Sequence, residues 1–84
     1  MSSSTRTSMS PEDQIVGLLS RWLARHIDNT ELGSGLAAAG RDGLSEDQTT
    51  ALDELKEELV RTGPMGRGDL EMVVRETLEA LALG

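Results

Sequence analysis

Cysteine is missing from all 84 residues, which excludes disulfides and thiolate metal sites together. Aromatic side chains are nearly missing as well: Trp22 is the single tryptophan, and there is no Phe or Tyr. A chain this short buries a small core. With so few large side chains to fill it, extra stability must come from close helix packing or from a second subunit. Lysine occurs once and the seven arginines are scattered, so the clustered positive charge that phosphate backbones require is not there and no nucleic-acid partner is expected. No window approaches the roughly 18 uninterrupted apolar residues of a membrane span. The formal charge of −7 also disfavours anionic lipid, so no membrane partner is expected.

Two further absences bear on location. The first ten residues, MSSSTRTSMS, contain neither an apolar core nor a basic cluster and do not read as a signal peptide. Lack of cysteine suits a reducing compartment. The expectation is a cytoplasmic protein with a disordered Ser/Thr tail over residues 1–9 and a single helical domain over 10–84.

What is present is helical periodicity. Ser10-Pro11-Glu12-Asp13 combines an N-cap, a proline at the first helical position and acids at the positive end of the dipole. Ile15, Leu18, Leu19, Trp22, Leu23, His26 and Ile27 then recur on one stripe, predicting a helix over 11–27. Residues 28–43 are rich in glycine; Asn29 or Thr30 could cap a short helix near 30–39, weakened by Gly33 and Gly35, with turns at Gly40 and Asp42-Gly43. Ser45 to Gln48 has the form of a capping box and opens a helix over 45–61 with Leu52, Leu55 and Leu59 on its seam. Gly63 to Gly68 ends it, and Asp69 is placed as the N-cap of a last helix carrying Leu70, Val73, Val74, Thr77, Leu78 and Leu81. The fold class is therefore all-α, a small three-helix bundle made of an αα-hairpin and an N-terminal amphipathic helix, with room for a short fourth helix near 30–39.

Chemistry-bearing residues are sparse. His26 is the sole histidine and falls on the apolar stripe near a helix end, where a core or boundary role is the simplest reading. Together with Asp28 and Glu31 it offers one nitrogen and two carboxylates. Positions two apart do not share a helix face, however, and neither HExxH nor a calcium-loop pattern is present, so no metal is expected. The glycines follow no strand and lack the GxxxxGK[ST] pattern, so no nucleotide or other cofactor is expected.

The string Glu31-Leu32-Gly33-Ser34-Gly35-Leu36 resembles the region around the phosphopantetheine-bearing serine of acyl carrier proteins, which are also small, acidic and helical. The resemblance covers about six residues and would make Ser34 the modified position. It departs from the family pattern at Gly33, where an acid normally precedes the serine, and at Gly35, where a hydrophobic residue normally follows. Ala37 to Gly40 also shortens the long helix that normally comes after.

These observations point to a non-enzymatic interaction protein or accessory subunit, self-associating as a homodimer or bound to another protein, with no chemistry of its own. Its expected contact residues are Trp22, Leu19, Leu23 and His26 on the first stripe and Met72 on the last helix. Asp53, Glu54, Glu57 and Glu58 form an acidic face suited to a basic partner. The competing readings are a small enzyme whose site forms between subunits around His26 or acidic side chains, and a carrier protein modified at Ser34.

Overall fold

A computed structural model describes residues 10–83, and these fold into four helices. They are α1 Pro11–Leu23, α2 Asn29–Ala39, α3 Glu46–Thr62 and α4 Gly68–Leu83. The all-α class holds, and the short fourth helix allowed for near 30–39 is present as α2, a full element of the core and not a marginal turn inside a flexible connection. The tail assigned to residues 1–9 lies outside the described residues.

The helix starts follow from local chemistry. Ser10 caps α1, its Oγ accepting from the Asp13 amide at 3.2 Å, with Pro11 at the first helical position. Ser45 and Gln48 close the expected capping box on α3: the Gln48 amide donates to Ser45 Oγ at 3.1 Å and the Ser45 amide donates to Gln48 Oε1 at 2.9 Å. Two starts differ from expectation. The N-cap of α2 is Asp28, not Asn29 or Thr30, and it forms a second capping box with Glu31. Asp69 does not cap α4; that helix begins at Gly68, and the Glu71 amide donates to the Arg67 carbonyl at 2.9 Å.

The end of α1 is the larger correction. The helix stops at Leu23, four residues short of its expected end, because the Arg25 amide donates to the Trp22 carbonyl at 3.0 Å and the His26 amide donates to the Arg21 carbonyl at 2.8 Å. This pair of bonds is a Schellman motif, which needs a left-handed residue at its centre. That residue is Arg25, at φ 66°. Left-handed backbone costs an L-residue roughly 1 kcal/mol relative to glycine. Arg25→Gly is accordingly expected to raise stability by about 0.5–1 kcal/mol, readable as a higher midpoint in urea with an unchanged slope.

The packing order is cyclic. α1 lies along α2, α3 along α4, and the two pairs join through α1 against α4 and α2 against α3. Neighbouring helices run in opposite directions: Trp22 near the end of α1 bonds to Asn29 at the start of α2 while Leu18 and Gly35 meet at their middles, and Gln48 at the start of α3 reaches Leu81 at the end of α4. The core consists of Ile15, Leu19, Trp22, Leu32, Leu36, Leu52, Leu55, Leu70, Val74 and Leu81, all at most 1% exposed. Each helix contributes its apolar stripe, so every stripe is covered inside the chain.

Two buried polar side chains mark the ends of this core. Gln48, 3% exposed, uses its amide nitrogen to donate to the Leu81 carbonyl at 3.2 Å. It thereby satisfies a carbonyl in the last turn of α4 that has no helical partner. Asn29 occupies the opposite end and is taken up below.

Glycines within α2 behave differently from one another. A Cβ on Gly33 meets nothing within 4 Å, whereas one on Gly35 lies 2.6 Å from a methyl of Leu18. Gly33→Ala is therefore expected to stabilise the protein by about 0.5–1 kcal/mol through helix propensity. Gly35→Ala, forced to displace Leu18, should lose most or all of that gain; thermal melts of the two single variants make the comparison.

Candidate functional site

The functional candidate is the end of the bundle where the α1–α2 turn meets the α3–α4 turn. It is organised by Asn29, the first residue of α2, which is 7% exposed. The Trp22 Nε1–H donates to Asn29 Oδ1 at 2.7 Å. Asn29 Nδ2 in turn donates to the carbonyls of Gly63 and Gly66, at 2.9 and 2.7 Å. One amide thus joins α1, α2 and the α3–α4 turn, with both of its hydrogens and its oxygen engaged. Among the described residues no buried side-chain nitrogen or oxygen lacks a partner.

Arg67 closes the same end. Its guanidinium carbon lies 3.8 Å from the centroid of the Trp22 ring, a cation–π stack. Its nitrogens donate to the Trp22 carbonyl at 3.3 Å and to Glu71 Oε2 at 3.2 Å. The indole is therefore held at its edge by Asn29 and on its face by Arg67.

Around this rigid support the surface is concave. A cleft of about 570 Å³ is lined by Arg25, His26, Asp28, Glu31 and Met65 among others. A second hollow of about 340 Å³ adjoins it across Asn29, Thr30 and Pro64 and extends to Val60. Met65 is 90% exposed and Val60 84%. Arg25, Asp28 and Glu31 are also exposed, and none of them makes an ion pair among the described residues.

The expected contact residues are distributed differently from the sequence reading. Trp22 and Leu19 are wholly enclosed by this chain at 0% exposure, so neither presents contact surface in the folded protein. Leu23 is partly buried against the core. His26 is not on an apolar stripe at all: it follows the Schellman turn with its side chain at the surface. Met72 is exposed on α4. Of the four face acids, Asp53 is paired with Arg41 at 2.6 Å. Glu58 is bound to Arg61 and accepts from the Thr62 hydroxyl at 3.2 Å. Glu54 and Glu57 alone of the four remain exposed without an ion pair among the described residues.

Asp28 and Glu31, weighed with His26 as ligands, instead cap α2 for each other. Among the described residues no group of three or more His, Asp or Glu side chains could hold a metal ion. Ser34 is exposed but sits inside the 11-residue α2, with the helix already begun at Asn29. The carrier resemblance places its serine ahead of a long helix, so the local geometry departs from it.

The residues that build this end, Asn29, Arg67, Val60 and Met65, were not marked as functional by the sequence. One signal was legible: Asp28-Asn29-Thr30-Glu31 has the D-x-x-E spacing of a capping box, which sets Asp28 outside the helix and makes Asn29 its first residue. Fold and site together define a small four-helix protein with one end locked by a tryptophan–asparagine–arginine cluster and bearing an exposed mixed surface. No protein-family model, curated protein or solved structure matches this chain. Among the described residues no helix is long and apolar enough to cross a membrane.

Proposed function

We propose that this chain is a non-enzymatic interaction subunit that self-associates through the end of the bundle formed by residues 25–31 and 60–67. The observation that carries this reading is the presence together of two nearly fully exposed apolar side chains, Val60 and Met65, and charges of both signs that make no ion pair among the described residues, Arg25 against Asp28 and Glu31. Apolar groups surrounded by charge are what a contact surface needs: burial supplies the affinity and the charged rim fixes register. A second copy is the occupant that suits both signs at once. In a two-fold contact each copy offers the same patch, so the positive group of one meets the negative groups of the other.

The interaction surface is thus the bundle end and not the stripe of α1, whose apolar side chains are consumed by the core. An accessory role belongs to the same reading, and a cytoplasmic setting suits it because the sequence has no cysteine.

Analytical ultracentrifugation across a concentration series tests it. The native chain is expected to pass from monomer to dimer as concentration rises. The double substitution Val60→Ser with Met65→Ser should shift that equilibrium to monomer by about tenfold or more in dissociation constant while the helical circular dichroism spectrum stays the same. A native chain that stays monomeric up to millimolar concentration overturns the proposal.

A further inference from the structure

The α1–α2 turn places an unusual residue type at the left-handed position of its Schellman motif. The other positive-φ residues among those described are Gly40, Gly43 and Gly63, the residue type that adopts this backbone without strain. Only at position 25 does an arginine take it, and that arginine packs into no core and makes no ion pair among the described residues. A left-handed backbone on a non-glycine residue at an exposed position motivates a functional role for its side chain. The Schellman bonds from the Arg25 and His26 amides hold the Cα–Cβ bond of Arg25 in one direction, at the edge of the cleft that Asp28, Glu31 and Met65 share.

We infer that Arg25 is the residue that sets the geometry of self-association, its guanidinium pairing with Asp28 and Glu31 of a second copy across a two-fold axis. This inference rests on the proposed self-association and specifies its contact. The carboxylates are suited to the role because the capping box orients them: Asp28 accepts from the Glu31 amide at 2.8 Å and Glu31 accepts from the Asp28 amide at 3.3 Å. Each carboxylate keeps acceptor sites beyond that one bond. A guanidinium fork meets such a pair of carboxylates with several parallel N–H donors, which lysine cannot reproduce. The two-fold axis doubles the contact, since Arg25 of each copy reaches the acids of the other.

Two experiments separate this inference from the reading beneath it. In the first, Arg25→Gly removes the strain and the guanidinium together. At a concentration where both proteins are monomeric it should melt at a higher temperature than the native chain, and yet it should dimerise at least about tenfold more weakly, an opposition that a purely structural arginine would not produce. The second is a charge exchange. Arg25→Glu alone and the double substitution Asp28→Asn with Glu31→Arg alone should each be monomeric, because like charges then face each other across the axis, whereas their equimolar mixture should form a 1:1 heterodimer by native mass spectrometry; asparagine keeps the N-cap at position 28. Circular dichroism of each variant establishes that it is folded. A native dimer that Arg25→Gly leaves at full strength, or folded charge-exchanged variants that fail to combine, overturns the role of Arg25 while self-association stands. A native chain with no dimer at all overturns the earlier proposal.

Discussion

Trp22→Ala is expected to lower the unfolding free energy by about 3–5 kcal/mol, the range for truncating a fully buried aromatic residue. Three losses add at this position. The indole is the largest side chain in the core and is 0% exposed, so alanine leaves a cavity that four helices cannot collapse into without breaking other contacts. The substitution also removes the donor to Asn29 Oδ1 and the ring on which Arg67 stacks. Total stability for a domain of this length is on the order of 5–10 kcal/mol, so the variant should retain helix by circular dichroism while losing most of its cooperative urea transition. Trp22→Phe separates the terms: most of the volume stays and the N–H donor goes, for an expected loss of about 1–3 kcal/mol. A Trp22→Ala protein with a cooperative transition near that of the native chain would contradict the packing described for α1.

Asn29→Ala should destabilise by about 2–4 kcal/mol, although it removes only a small side chain, because it strands three polar groups instead of one. The indole N–H loses its acceptor, and the carbonyls of Gly63 and Gly66 lose their donors. Asn29→Asp is a sharper test of mechanism. Aspartate has nearly the same shape and preserves an acceptor for the indole, but it replaces the two-donor amide with an oxygen facing two carbonyls. Asn29→Asp should therefore still be destabilised, because both carbonyls lose their donors although the indole keeps its acceptor; urea denaturation of the two variants side by side makes the comparison. A double-mutant cycle between Trp22→Phe and Asn29→Ala, followed by urea denaturation, should give a coupling of about 0.5–3 kcal/mol.

These two residues also show how far local reasoning reaches. Ser10 with Pro11, and Ser45 with Gln48, mark their helix starts correctly because every atom in a cap lies within one turn of chain. Leu52 and Leu55, or Leu70, Val74 and Leu81, are recognisable as core from spacing alone because a helix has one period. The end of α1 was misread for the complementary reason. A helix stop is legible when glycine takes the left-handed position, and here Arg25 takes it, so the apolar spacing runs on through His26 and Ile27 although the helix has ended. The two glycines of α2 misled in the other direction. Their low propensity argues for a marginal helix, yet Asp28 and Glu31 cap it and Leu32 and Leu36 anchor it in the core, and those terms outweigh propensity.

The contacts that build the candidate site are long-range. Asn29 bonds to residues 34 and 37 positions away, and Arg67 bonds to a carbonyl 45 positions away. Nothing in the identity of an asparagine, two glycines and an arginine announces that they will meet. The apolar side chains that periodicity brought forward as contact residues, Trp22 and Leu19, are the ones the fold consumes, while Val60 and Met65 belong to no stripe and stay outside.

By itself, then, the sequence determined the helical class, the acidic balance, two of the caps and most of the core, because these depend on composition and on contacts within a few residues. The tertiary structure alone decided which apolar side chains are left exposed, where α1 stops, and that one buried amide joins three segments at one end of the bundle. Exposure and convergence are properties of how four helices share a single core, and no segment carries that information until the others are in place.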